Sequence, residues 1–322
     1  MKTISVVITS YNQKDYLREA IESVLTQTVR PFEIIVCDDA STDGSKRLIR
    51  DYESRYPGLV RGLLHEKNLG ISKNRNSGIK IARGELVTWL DGDDRFRPGK
   101  LEIELQHYLT NADIKWVYSQ VIIIDTEGNP IRERYKENLT GKIFERVISI
   151  MGAAPRNPLV ELEALKNIGL FNEAMTLYED FDLLLRLAKH YACSYSPEPM
   201  MEYRIHPGGI HNISIEKHLI NFHILHNNLK KLLDDEPEDK RYALESAFLK
   251  RQNVLTMQKM IAKGQRFSAL MCLCKEMWSK PGEIMNPETY AKVKKIVFSN
   301  NTLLNHAVML KRVISKSIRN RK

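Results

Sequence analysis

Along the first hundred positions, short continuous apolar runs alternate with stretches whose apolar residues recur at the 3.6-residue helical spacing. Ile4–Ile8 is a β-branched run that predicts a buried strand. From about Asp15, the residues Leu17, Ala20, Ile21, Val24 and Leu25 fall on one face of a predicted helix. Pro31 closes the linker, and Phe32–Val36 reads as a second buried strand. Asp38–Gly44 is loop chemistry leading into a helix that runs through Tyr52. Leu63-Leu64 suggests a short third strand. Asn68-Leu69-Gly70 is a turn, after which Ser72 or Asn74 can cap a helix to Ala82. Leu86–Leu90 is a fourth strand. Strands alternating with helices imply right-handed crossovers and an α/β fold with a mostly parallel sheet.

The pattern then changes. Pro98 marks a helix start, with helix from Leu101 to Leu109. Trp116–Ile124 is a strand, Glu127-Gly128-Asn129 a hairpin turn and Ile131–Tyr135 a return strand. Residues 136–170 read as irregular with short helices. Asp180–His190 has Phe181, Leu184, Leu185 and Ala188 at core spacing, and Met200–Ile205 is the last strand candidate. From about Ile215 the pattern is purely helical. The expected organisation is a body over residues 1–214, divided into halves 1–97 and 98–214, with a helical extension over 215–322.

Composition sharpens this division. The chain of 322 residues carries a formal charge of +9, which by itself suggests an anionic partner. Residues 215–322 hold 21 Lys and Arg against 10 Asp and Glu, whereas residues 1–214 hold 28 against 30. The body is therefore slightly acidic and the extension strongly basic. Four cysteines form neither a zinc pattern nor a disulfide framework and point to a reducing, cytoplasmic setting. The apolar stretch after Met1-Lys2 is too short for a signal core, and no run approaches the ~18–20 residues of a membrane span.

Ligands of a parallel α/β sheet bind outside the carboxyl ends of its strands. Three polar clusters fall at such ends: Thr9-Ser10-Tyr11-Asn12, Asp38-Asp39-Ala40-Ser41 and Asp91-Gly92-Asp93-Asp94. Three carboxylates crowded after a buried strand call for a neutralising cation, and hard oxygens suit Mg²⁺ or Mn²⁺. The chain has neither a GxxxxGK[ST] loop nor a GxGxxG turn, so a D-x-D group with a metal is the available device for a diphosphate.

These segments, together with Ser23–Thr28, Glu33–Ser45, Asn68-Leu69-Gly70, Arg75-Asn76-Ser77-Gly78, Gly169-Leu170-Phe171 and Glu179-Asp180, resemble in order and spacing the glycosyltransferases of family 2. The resemblance covers residues 3–214. It implies a GT-A type, Rossmann-like sheet with helices on both faces. It also implies inverting transfer of a sugar from a nucleotide diphosphate sugar to the hydroxyl of a saccharide or lipid-linked acceptor. Carried over residue by residue, Thr9 and Tyr11 would frame the base. Asp39 would accept from a ring N–H that uracil, thymine and guanine possess, which favours UDP and leaves dTDP and GDP open. Arg75 would meet the nucleotide or diphosphate, Asp91 the ribose and Asp93 the metal, with Asp94 behind it. Asp180 would be the general base, because an inverting transfer needs one carboxylate to deprotonate the acceptor. Glu179 would orient the acceptor or stand exposed, and Arg186 would pair with a carboxylate or the diphosphate. His206, in the segment Tyr203–Asn212, would complete the metal site, with His211 a competitor and Gly208-Gly209 a hinge. Residues 152–161 should line the acceptor side and hold no aromatic sugar platform.

Beyond the resemblance, Leu303, Ala307, Leu310, Ile314 and Ile318 share one helical face, while Lys311, Arg312, Lys316, Arg319, Arg321 and Lys322 add six positive charges. A basic amphipathic helix of this kind either touches an anionic membrane surface or packs its apolar face on the body. A sugar-phosphate nucleotidyltransferase would need a glycine-rich basic loop after the first strand, where Thr9–Lys14 stands instead. Nucleic acid is not the expected partner, since the basic end lacks interleaved aromatics. Retention of both Asp93 and Asp180 disfavours a catalytically dead scaffold.

Overall fold

Seven consecutive buried residues form β1 (Ile4–Ser10), the centre of one wall of the sheet. β2 (Glu33–Asp38) pairs with it in parallel on one side, and β4 (Leu86–Asp91) pairs in parallel on the other. β3 (Val60–Leu64) extends the wall beyond β2. The computed structural model describes residues 2–134, 139–150, 155–209 and 214–262. In the complete sheet the order is β3-β2-β1-β4-β8-β6-β9-β5, with β7 beside β6. Here β5 is Arg95–Phe96, β6 Ile114–Ile124, β7 Pro130–Glu133, β8 Leu159–Glu161 and β9 Ala192–Arg204. The long ladders are parallel, and short antiparallel β8 couples the first wall to the β6–β9 pair.

Helices flank this sheet. α1 (Lys14–Leu25) buries Leu17, Ala20, Ile21 and Val24 and touches α2 (Ser45–Arg55). α3 (Ile71–Ile81) follows the reversal of strand order between β3 and β4, and right-handed crossovers then place it on the opposite face. It lies close: a Cβ at Gly78 would fall 2.5 Å from a Val7 methyl and 2.6 Å from Cys37 Sγ. α4 (Lys100–Leu109) covers β6 and β9. α5 (Phe144–Ser149) and α6 (Leu162–Asn167) are short, and α7 (Glu179–His190) precedes β9.

Several elements differ from their sequence expectation. Neither Ser72 nor Asn74 caps α3, whose N-cap is Gly70. Ser72 Oγ donates to the Met175 carbonyl and Asn74 Nδ2 to the Cys37 carbonyl, so both are cross-braces. β9 begins at Ala192, well before Met200. Its prolines, Pro197 and Pro199, deny the ladder two donors, and the register with β6 shifts between Ser119 and Val121 to absorb them. β5 and β8 are too short for periodicity to reveal them.

Residues Met1–Ala247 form one compact unit, and a second begins at Phe248. The expected border at 214/215 falls inside the first unit. α8 (Ile215–Leu232) fully buries Phe222, Leu225 and Leu229, touches α7 and is followed by α9 (Glu238–Ala262). Among the described residues no helix is long and apolar enough to cross a membrane. The segment from Leu303 with its expected membrane contact, and His211, lie outside the described residues.

Candidate active site

The three polar clusters are neighbours because the strands that carry them are in register. Ser10 sits opposite Asp38 and Thr9 opposite Asp91, so β1, β2 and β4 end together at the point where strand order reverses. The turns that follow are tied to one another. Asn12, with φ 52°, donates its N–H to Ser41 Oγ at 2.8 Å and accepts from Thr42 N at 2.8 Å. Asp39 is buried, and its two carboxylate oxygens accept from Leu69 N (2.6 Å) and Gly70 N (2.9 Å). Each oxygen keeps a second lone pair for another donor. Thr9 is buried, while Tyr11 stands 49% exposed at the lip.

Below the β4 end lies a network of carboxylates and guanidinium groups. Arg75, only 2% exposed, donates from one terminal nitrogen to Asp91 and from the other to Glu179 (2.6 Å). Its guanidinium carbon also lies 5.2 Å from the centre of the Phe171 ring. Burial opposes the Arg75 charge, and the two carboxylates outweigh that cost and hold the cation. Burial likewise pushes the Asp91 carboxyl up, but Arg75 and Arg156 prevail and hold it below the usual carboxylate range. Glu179 ends above its ordinary value, because burial and the neighbouring Asp180 outweigh Arg75. Arg156 reaches Asp91 Oδ2 at 3.2 Å and Asp180 Oδ2 at 3.5 Å, with its guanidinium over the Tyr203 ring at 4.3 Å. Asp180 lies in the first turn of α7, where Tyr178 takes φ 62° to enter the helix.

The D-x-D turn is held from β9. Arg204 Nε donates to the Asp93 carbonyl (2.9 Å) and the Arg204 N–H to Asp94 Oδ1 (2.9 Å). Two residues on, this anchor brings His206 Nε2 to 2.9 Å from Asp93 Oδ2. Asp94 is fully buried, its Oδ2 lacks a hydrogen-bond partner, and burial beside Asp93 pushes its carboxyl well above the ordinary value. No group of three or more metal-ligating side chains occurs among the described residues. One carboxylate and one imidazole nevertheless fit a divalent ion that completes its octahedron with water and substrate phosphates.

The family model for glycosyl transferase family 2 matches residues 5–169, about half of the chain. The chain belongs to this family. An uncharacterized glycosyltransferase of Methanocaldococcus jannaschii is 30% identical over 210 residues, 63% of this chain and 70% of that one. Staphylococcus aureus TarS 1-349 in complex with UDP-GlcNAc superposes with a TM-score of 0.66 at 22% identity, covering 80% of this chain and 74% of that one. The mannosyltransferase PcManGT of Pyrobaculum calidifontis, in complex with GDP-Man and Mn²⁺, gives 0.58 at 16% identity over 99% of this chain and 87% of its own. The fold is of the GT-A type.

In this glycosyltransferase, Thr9, Asp39, Asp91 and Asp93 stand at the strand ends, His206 meets Asp93, and Asp180 is linked to Asp91 through Arg156. Arg75 does not stand open to an anion as expected, because both terminal nitrogens are engaged by carboxylates. Glu179 is buried on Arg75 rather than exposed. Arg186 holds Asp182 and the Ile168 carbonyl, a brace within the α6–α7 region. Arg156 is the residue that sequence reasoning passed over. It lay in the segment expected to face the acceptor, yet one arginine in an irregular stretch carries no local signal of its partners.

Proposed function

We propose that this family 2 enzyme transfers a sugar, with inversion, from a UDP-sugar to the hydroxyl of a saccharide or lipid-linked acceptor. The observation that carries the reading is that three polar strand ends share one edge of the sheet and Asp180 of α7 is linked to it through Arg156. Thr9 and Tyr11 frame the base, and Asp39 accepts the uracil N–H with its remaining lone pairs. Asp91 receives the ribose hydroxyls. Asp180, its side chain 29% exposed and 3.5 Å from Arg156, takes the proton of the acceptor hydroxyl. Glu179 supports the site through Arg75. Asp93 and His206 would hold Mn²⁺ or Mg²⁺, whose chemistry is to neutralise the diphosphate as it departs. The UDP-GlcNAc complex of TarS and the Mn²⁺ complex of PcManGT support the donor class and the metal.

The Asp39 carboxylate selects a base with a ring N–H, which uracil, guanine and thymine carry and adenine and cytosine lack. A thermal-shift panel of UDP, GDP, dTDP, ADP and CDP with Mn²⁺ tests the reading. UDP should raise the melting temperature by several degrees and ADP and CDP should not. Stabilisation by ADP equal to that by UDP would overturn the assignment of Asp39. The expected setting is the cytoplasmic face of a membrane on which surface polysaccharide or glycolipid is built.

A further inference from the structure

Arg156 and Arg75 both touch Asp91, but they are held differently. Arg75 is sealed between two acids. Arg156 is 16% exposed on its side chain and reaches its two acids at the longer distances of 3.2 and 3.5 Å. The Tyr203 ring supports one face of its guanidinium, and the buried Nε of each arginine has no hydrogen-bond partner. The group thus spans from Asp91, assigned to the ribose, to Asp180, assigned to the acceptor hydroxyl. In a nucleoside diphosphate sugar, the two phosphates are the atoms that separate ribose from anomeric carbon. A donor with its ribose on Asp91 and its anomeric carbon facing Asp180 therefore runs its diphosphate past the Arg156 fork. Guanidinium groups bind phosphate oxygens in paired, charge-assisted hydrogen bonds.

We propose that Arg156, rather than Arg75, grips the β-phosphate of the donor, and that it lets go of Asp180 in doing so. The inference rests on the nucleotide-sugar reading above. Before donor binding, the 3.5 Å contact ties the base to a cation; the phosphate outcompetes this longer contact. Asp180 is then free for the acceptor. The proton of the acceptor hydroxyl passes to Asp180 and the acceptor oxygen bonds the anomeric carbon. The bond from that carbon to the β-phosphate oxygen breaks, leaving its electron pair on the oxygen that Arg156 faces. The base becomes available only when a donor with both phosphates is in place, which protects against unproductive acceptor binding.

Titration calorimetry with UDP and UMP at constant Mn²⁺ tests the proposal, because UMP carries the ribose and α-phosphate but no β-phosphate. R156A should weaken UDP binding by about 10- to 100-fold and leave UMP within about twofold. R156K, which keeps the charge but not the fork, should recover part of the UDP affinity, and in turnover the variants should raise KM for the donor as well as lower kcat. Equal losses for UDP and UMP, or an unchanged UDP affinity in a variant that melts like the wild type, would overturn the role. If R156A does not fold, the UDP-to-UMP ratio of R156K against wild type decides in the same way. A wild type that binds no nucleoside diphosphate would instead sink the nucleotide-sugar reading itself, an outcome distinct from variants that bind as well as wild type.

Discussion

At the scale of single residues, chemistry was legible wherever it is local to a strand end. Asp91 and Asp93 follow a buried strand, and three acids at such a place already demanded a cation. What occupies that electrostatic role is set by residues far away in sequence. Arg75 meets Glu179 across 104 positions, and Arg156 meets Asp91 across 65. No spacing rule links such pairs, so Arg75 was expected at the diphosphate and Arg156 was assigned no role. The assignment of Asp180 yields a sharp outcome. Asp180→Asn should lower kcat by about 10²–10⁴-fold, the usual contribution of a general base. The UDP affinity should be unchanged or somewhat tighter, since Arg156 loses a competing partner. Normal turnover of the variant in a radiolabelled-sugar transfer assay would remove Asp180 from the mechanism.

Among the elements, α8 changes the picture most. It lies beyond the stretch matched by the family model, yet it holds the loop that delivers Asp180. Asn221 Oδ1 accepts from both Thr176 N (3.0 Å) and Leu177 N (3.1 Å). His218 Nδ1 lies 2.7 Å from Tyr178 Oη, and the Tyr178 ring stacks on Phe222 at 4.7 Å. Asn228 Nδ2 reaches Asp182 Oδ1 at 2.7 Å on the other side of the same helix turn. Asn221→Ala strands two backbone donors and should cost about 1–3 kcal/mol of stability, measured by denaturant unfolding. Because the loop places Asp180 and not the nucleotide crevice, kcat should fall while the UDP affinity stays within about twofold. Periodicity predicted a helix from Ile215 correctly. It could not assign that helix to the body, because docking depends on which side chains the 176–178 loop presents. The same limit applies to β8, whose three residues owe their strand geometry to β4 and β6 on either side.

For the whole molecule, the surplus of positive charge belongs to the stretch after residue 214, and the crevice contains its own acids and arginines. If the basic sequence from Leu303 meets an anionic surface rather than packing on the body, each basic residue contributes ~1 kcal/mol there. Deleting residues 303–322 should then reduce co-sedimentation with anionic vesicles without altering UDP binding; unchanged sedimentation would refute the contact. The core offers a separate check on packing. Burial pushes both the Cys37 and the Cys193 thiol up to about 12, with Ser77 opposing the shift weakly at Cys37. At pH 8 the thiolate fraction is then on the order of 10⁻⁴. Iodoacetamide should leave both residues unmodified in the native protein and label them in urea, read by peptide mass spectrometry. Rapid native labelling of Cys37 would contradict the close packing of α3 over β1 and β2.

By itself the sequence determined the alternation of buried strands and amphipathic helices, and with it a parallel sheet whose carboxyl ends carry Thr9, Asp39, Asp91 and Asp93. That much is local, because burial of a strand and the chemistry of the turn after it are written in adjacent residues. Only the tertiary structure decided which charges face one another. A guanidinium finds its carboxylates wherever chain crossings bring them within about 3 Å, and at these low-dielectric distances the pairing settles which groups are sealed and which stay open. Arg75 is closed off and Arg156 keeps partial exposure for that reason, and α8 packs with the body because its asparagine and histidine side chains satisfy the loop before Asp180.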